Sequence, residues 1–461
     1  MMRSMYAGVS GLKNHQTRMD IIGNNIANVN TVGFKKSRVV FKDALYQNVR
    51  GASMPTGARG GTNPMSIGLG MTISSIDQIH TPAPASVTNK PTDMAIDGNG
   101  YFVLDNGGQI FYSRAGNFDF DTRGNFVTAN GYRVQGWMAD ENGTIDTVKP
   151  MQGIDISVYK TIAPKATENV AFAGNLSSTL AIPQVSGADI NPTDGEQHPS
   201  VDDSIITSKT VYDSLGNEII VYFRFFKHEV ESGPPPVTNW ACDISLDSEF
   251  ENMDGYTASA DFEAVDISAG ENPGGGTRMV RAYNIQFDNG GAILDPTKAQ
   301  MQLTIDRSAQ GADNVALDFS FQKLDQFNTE STAWVESQDG YSMGSLISYN
   351  VGIDGTIQGV YDNGKIMNLA RVALANFQNP SGLLQIGGNL YQQSSNSGDP
   401  LIGGPGSQGM GAIIPSSLEM SNVDLSEEFT DMIVTQRGFQ ANSRVITTSD
   451  EMLQELVNLK R

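Results

Sequence analysis

Thiols are almost absent from this chain: Cys242 is its only cysteine. One cysteine can close no internal disulfide and build no multi-cysteine metal site, so it reads as a small buried hydrophobe in a strand. Histidine is nearly as scarce. His15, His80, His198 and His228 are the full set, and none stands at metal-ligand spacing from another ligand. His15 is expected on a solvated helix face, and His80 and His198 in exposed loops. No run of about 18 apolar residues occurs, so no segment is expected to span a membrane. Met1 to Gln16 lack the apolar core of a signal peptide. That leaves the cytoplasm, or an export route that reads no cleaved signal. Positive charge is also short: 30 basic against 51 acidic residues give a net charge of −21. Such a surface argues against nucleic acid as a partner.

Enzymatic motifs are equally thin. Gly68-Leu-Gly70 and Gly98-Asn-Gly100 lack the rest of a dinucleotide fingerprint, and no phosphate-binding lysine loop is present. Asp194, Asp202, Asp203, Asp354 and Asp362 sit at turns. Asp121-Thr-Arg-Gly-Asn125 lacks the alternating carboxylates and distal glutamate of a calcium loop, so Asp121 is expected to bond its own backbone. No catalytic residue, cofactor site or metal site is expected.

What is present is order at the two ends. Met5, Val9, Leu12, Gln16, Met19, Ile22 and Ile26 recur at intervals of four and three, the stripe of a helix seam. The segment stops in Asn-Val-Asn-Thr-Val-Gly, with Gly33 as terminator. At the other end, Asp424 and Glu427 have capping-box spacing. Leu425, Phe429, Met432, Gln436, Phe439, Ser443, Ile446, Asp450, Leu453 and Val457 then follow the same rhythm, broken by the polar Gln436, Ser443 and Asp450. Neither stripe can be buried by its own helix, and the other terminus is the obvious partner. The polar breaks predict a marginal seam, with residues 1–30 and 424–461 largely disordered in the free subunit.

Between the ends the texture is β. Gly is abundant at 49 residues, and turn signals such as Asn106-Gly107-Gly108, Asn130-Gly131, Asp354-Gly355 and Asn363-Gly364 separate short alternating runs. From about Gly174 the chain becomes loop-rich, including Val185 to Asp203 and a Pro-rich loop from Glu231 to Pro236. It then resumes as further strands, which reads as an insertion. A length of 461 residues fits about three domains. The expected fold is mainly β with α-helical termini, in a nested multidomain architecture. The terminal helices (1–32 and 424–461) pair as a coiled-coil-like rod. Extended connectors follow (33–90 and 396–423), then a discontinuous first β domain (91–174 and 328–395), into which a second β domain (175–327) is inserted. Lys35, Lys36, Arg38, Lys42 and Arg50 form a basic stretch against Asp43, read as a solvated or subunit-contacting arm.

At this point motifs become recognisable. Asp20 to Lys35, with Gly23, Asn24, Asn25, Ala27, Asn28, Gly33 and Phe34, closely resembles the N-terminal signature of the flagellar rod and hook axial family. Gly438 to Arg444, with Phe439 and Asn442, resembles its C-terminal signature. Asp97 to Phe102 and Ser113 to Phe118 resemble the first β domain of that family, and Val211 to Asn217 weakly resembles its insert.

The resemblance implies a non-enzymatic subunit that polymerises with itself into a tube, its terminal helices lining the interior and its β domains outside. The chain's length and large insert favour hook over rod: a curved universal joint passing motor torque to the filament, the alternative being another axial subunit such as a distal-rod or hook-like paralogue. The implied partners are further copies, the distal rod and hook-filament junction proteins, the hook cap during assembly and the flagellar export apparatus. The implied location is the hook and basal body. Spirochaete members of the family crosslink subunits through a lysine and a dehydroalanine made from cysteine. The matching region here, Lys160 to Ser178, holds lysines but no cysteine, so the crosslink is not carried over.

Overall fold

The computed structural model describes residues 2–55, 59–182, 204–231, 236–246, 257–259, 265–268, 279–295, 299–307 and 311–459. The whole Val185–Asp203 loop, with Asp194, His198, Asp202 and Asp203, and residues 232–235 of the Glu231–Pro236 loop lie outside them. The chain separates into two compact units. One comprises residues 1–159, 348–360 and 366–461; the other comprises 160–347 and 361–365.

Two long helices dominate the ends of the first unit: α1 (Met2–Ala27) and α2 (Leu425–Asn458). α2 starts where its cap signal stands. Asp424 is extended (φ −93°, ψ 114°) and its carboxylate accepts from the Ser426 and Glu427 amides. The expected box is only half formed, because the Glu427 carboxylate goes instead to Lys36 Nζ at 2.7 Å. α1 ends at Ala27, and the chain turns through Asn28 to reach Gly33 at φ +69°, where a Cβ would lie 2.6 Å from the Ala115 nitrogen. Only glycine accommodates both demands.

The segments expected to be extended connectors contain paired strands. Ser37–Asp43 pairs antiparallel with Met71–Gln78, and Tyr46–Arg50 with Met65–Gly68, so these four strands form a hairpin arm. Beyond it, Ala85–Val87 pairs with Ser417–Glu419, and Met94–Asp97 with Ala412–Pro415. Extended chain with unpaired amides and carbonyls gains by finding a ladder partner, and Ala85–Val87 and Ser417–Glu419 supply one for each other across the two connectors.

The β body of this unit is a sheet running from Thr356–Tyr361 through Ile366–Val372, Arg133–Met138, Tyr101–Asp105, Ile110–Ser113 and Leu390–Gln392 to the edge strand Leu384–Gly387. One face buries Tyr101, Val103, Tyr112, Trp137, Phe377 and Tyr391 together. Tyr112 and Phe377 meet edge to face at 4.8 Å, a favoured aromatic geometry.

The second unit is a β-sandwich. One sheet has the order Val265–Ser268, Gln300–Asp306, Val315–Asp325, Asn169–Asn175, Trp334–Gln338; the other has Ile205–Tyr212, Glu218–Glu231, Val237–Ser245, Met279–Phe287, Thr257–Ser259. Phe172, Phe223, Phe225, Trp240, Phe319 and Phe321 belong to one core between them. The compact division falls at 159/160 and 347/348, outside the expected borders of 174/175 and 327/328. The reason is pairing: Asn169–Asn175 is sandwiched between Val315–Asp325 and Trp334–Gln338. Cys242 is fully buried in this core, which pushes its thiol pKa well up. Asp213 and Asp121 behave as turn aspartates, each accepting from the amide and the side chain of the asparagine four residues on.

Candidate assembly interface

α1 and α2 pack against each other antiparallel. The partners run Ser4 with Ser449, Gly8 with Ile446, Gly11 with Asn442, Arg18 with Asp431 and Asn25 with Glu428. The face α1 turns inward carries Gly8, Gly11, Asn14, Ile22 and Asn25; that of α2 carries Glu428, Thr435 and Ser449, with Asn442 in the same row. Glu428, Thr435, Asn442 and Ser449 are seven residues apart, a heptad row of polar side chains. Glycines at Gly8, Gly11 and Gly438 bring the backbones close. A Cβ on Gly11 would lie 2.8 Å from the Asn442 carboxamide, and one on Gly438 would lie 2.8 Å from the His15 ring.

The apolar stripes of the sequence and the pairing face therefore do not coincide. Of the expected seam residues, only Ile22 is buried. Met5, Leu12, Met19, Ile26, Met432, Ile446 and Leu453 are half-buried flanks of the contact. Val9 and Phe429, each 51% exposed, point to solvent, as do Leu425, Phe439 and Val457. Met2, Tyr6, Ile433, Val434, Val445, Met452 and Leu456 join them. The physical reason is size: helices that approach over glycine, serine and threonine leave no room for large side chains between them, and the large side chains turn outward. So many large apolar side chains left exposed on one helix pair mark it as a candidate protein–protein contact.

The signature residues divide by role. Asn25 is buried, donates to the Ser37 carbonyl at 2.9 Å and to Glu428 at 3.2 Å, and accepts the Ser37 amide. It binds the hairpin arm to both helices. Burial raises the pKa of Glu428 above the ordinary carboxylate value. Asn28 donates to the Asn24 carbonyl and accepts from Thr31, shaping the turn after α1. Phe34 is buried, and Gly33 donates its amide to the Glu419 carbonyl at 2.8 Å. Gly23, Asn24 and Ala27 lie on the exposed side of α1, and nothing stands within 4 Å of a Cβ on Gly23.

Two histidine expectations need correction. His15 faces Gly438 and meets Phe41 edge-on at 5.9 Å, so it lies against α2 and the arm. His80 does lie in a loop but is not exposed: its Nδ1 lies 2.8 Å from the Tyr101 hydroxyl, and burial lowers its pKa to about 4 with help from the Lys35 and Arg114 charges. The basic stretch divides in the same way. Lys35 is wholly buried, Lys36 pairs with Glu427, and Lys42 and Arg50 stay exposed. Sequence reasoning missed Lys35, Arg114, Glu419 and Asn422 as a group, although the first two stand inside the quoted motifs. Among the described residues no helix is long and apolar enough to cross a membrane, and no three His, Cys, Asp or Glu side chains group as metal ligands.

Four family descriptions match the chain in succession. Residues 5–35 match flagella basal body rod protein, 95–172 the flagellar hook protein FlgE/F/G D1 domain, 175–341 the flagellar basal body protein FlaE D2 domain, and 414–459 the flagellar basal body rod FlgEFG protein C-terminal region. The flagellar hook protein FlgE of Borreliella burgdorferi is 43% identical, with all of both chains covered. That of Treponema pallidum is 37% identical over the same full coverage. The flagellar basal-body rod protein FlgG of Bacillus subtilis is 31% identical, again with both chains fully covered. A rod-named relative of matching length means that length alone does not separate hook from rod.

Proposed function

The chain belongs to the flagellar hook protein family, and from that premise we propose that its subunits join through the outward apolar faces of α1 and α2. The subunit is a structural, non-enzymatic component of the hook, and it polymerises with itself into the flagellar axial structure. The observation that carries the proposal is the mismatch just described. The helix pair spends its small and polar residues on itself and leaves Val9, Phe429, Ile433, Val434 and Val457 to solvent. Burying one such side chain against a neighbour contributes roughly 1.5–3 kcal/mol. Several of the twelve per subunit, repeated along a tube, suffice for assembly from a marginal monomer.

The proposal extends to the finer roles. The seam residues from Met5 to Ile26 and from Leu425 to Val457 serve the tube wall. The two β units form its outer layers, and sliding of polar, wet contacts between neighbouring subunits lets a torsionally stiff tube bend. Distal rod, junction and cap proteins contact its ends, and the flagellar export apparatus delivers the chain.

Val9→Glu with Phe429→Glu tests the central point. The variant is expected to keep its β units folded by circular dichroism and to form no tubes under the electron microscope. Tubes of normal yield would remove the assignment. Expressing the native chain in a hook-deficient cell, and imaging whether hook or rod is restored, separates the hook reading from an axial paralogue.

A further inference from the structure

Glu419 ends the strand Ser417–Glu419, just before α2, and its side chain is 1% exposed. Four segments far apart in sequence converge on it. Lys35, two residues beyond Gly33, donates Nζ to Glu419 Oε1 at 2.6 Å and to the Thr81 carbonyl at 2.7 Å. The Ala83 amide donates to the same Oε1 at 3.0 Å. Arg114, from the β body, brings a guanidinium nitrogen to Oε2 at 3.4 Å while its Cζ stands 5.1 Å over the Tyr101 ring. Beside this centre Asn422 accepts the Lys36 amide at 2.7 Å and donates to the Ile79 carbonyl at 2.8 Å. The chain leaving α1, the chain returning from the arm, the β body and the chain entering α2 are thus fastened at one carboxylate.

Stability is a poor explanation for such a site. Three charges are removed from water, and the two cations exceed the single anion. Well-packed apolar side chains of similar volume commonly serve a fold as well or better. What the ions add is direction: a carboxylate with its donors in place has one low-energy arrangement, whereas an oily contact has many. His80, whose ring lies against Tyr101 and Tyr391, stays neutral and adds no third cation.

We propose that the buried Lys35–Glu419–Arg114 cluster is a positioning joint that fixes the angle at which the α1/α2 pair leaves the β body, and through it the geometry of the assembled tube. The proposal rests on the reading of the terminal helices as the assembly layer.

Its test uses the full-length chain. The triple variant Lys35→Met, Arg114→Met, Glu419→Leu removes every charge together, and Glu419→Gln strands both cations. The single variant is expected to melt lower than the native chain and to give few or no tubes. The triple variant is expected to melt within a few degrees of native and to polymerise, but into tubes whose curvature or bending persistence length differs at least twofold. Tubes of native curvature and stiffness from the triple variant would overturn the joint. Should that variant fail to fold, Lys35→Arg decides in the same way: it keeps every charge and displaces the geometry. Native chain that forms no tubes would count against the assembly reading itself, which is a different outcome from native-like tubes in the variants.

Discussion

Gly11 on α1 and Asn442 on α2 stand so close that a Cβ on the glycine would lie 2.8 Å from three atoms of the asparagine carboxamide. Asn442 is itself tied to the Gly438 carbonyl at 3.0 Å, so it cannot retreat without losing that bond. Gly11→Val is therefore expected to cost about 1–3 kcal/mol of helix pairing through overpacking. Gly23 supplies the control on the same helix. A Cβ there meets nothing, so Gly23→Ala is expected to gain up to about 1 kcal/mol from helix propensity alone. The concentration needed for polymerisation should rise about tenfold for the first variant and hold or fall for the second. A rise of similar size in both would show that the glycines matter only as helix breakers.

That contrast explains what the sequence made legible. Both helices, the Gly33 stop and the Asp424 cap are local events, and their residues announce them. The pairing face is not local. Gly8, Gly11, Thr435 and Ser449 carry no hydrophobic period, so the eye follows Val9 and Phe429 to what is in fact the outside. The Lys35–Glu419 pair is hidden for a different reason: its members are 384 residues apart, and no spacing rule connects them. The arm reads as extended connector because its four strands form two-stranded ladders, and half-exposed strands leave only a faint alternation. The insert border expected at 174/175 agrees with the start of the matched D2 description at residue 175, whereas the compact division lies earlier because Asn169–Asn175 gains its partners more than 100 residues later.

His80 should make the first unit acid-sensitive. Its pKa is lowered from 6.5 to about 4 in the folded chain, chiefly by burial. Between those values the unfolded chain takes up a proton that the folded chain refuses, so stability falls as pH drops from 6.5 towards 4 and is fully present above 6.5. The shift corresponds to as much as about 3 kcal/mol. His80→Asn removes the titration. Urea unfolding of native and variant chains at pH 7 and pH 4 should show the native chain losing more stability by most of that amount. Equal losses in the two chains would assign the acid sensitivity to other groups.

Subunits should separate completely on denaturing gels. The thiol of Cys242 is buried in the sandwich core and its pKa is raised, so it is neither ionised nor reachable. Lys165, near the start of the second unit, stays protonated. Its Nζ lies 3.0 Å from Asp339, and that bond raises its pKa, which removes the free amine a nucleophile needs. Ser178 offers a hydroxyl, a far poorer leaving group than a thiol-derived sulfur. Boiled polymer is expected to run as a single band at the monomer mass of 49.5 kDa. A ladder of dimers and trimers would show that a crosslink forms without cysteine chemistry.

The border of the inserted unit can be tested by where it tolerates a cut. Removing residues 176–326 takes away the strand Val315–Asp325 and leaves Asn169–Asn175 paired only with Trp334–Gln338. Val170, Phe172 and Val335, all buried in the sandwich core, would then face water. Exposing them costs roughly 1.5–3 kcal/mol each and offers an uncapped sheet edge to other chains. Removing residues 161–345 takes the sandwich out whole. It leaves Lys160 and Leu346, whose backbones are already joined by a hydrogen bond of 2.9 Å, to be closed by a short turn. The longer deletion is therefore expected to give a soluble monomer by size exclusion that still forms tubes of altered flexibility. The shorter one is expected to aggregate and to bind an apolar dye. A soluble, assembling product from the shorter deletion would place the border at 175 after all, because it would mean that the strand Asn169–Asn175 is held by something other than its neighbours in the sandwich.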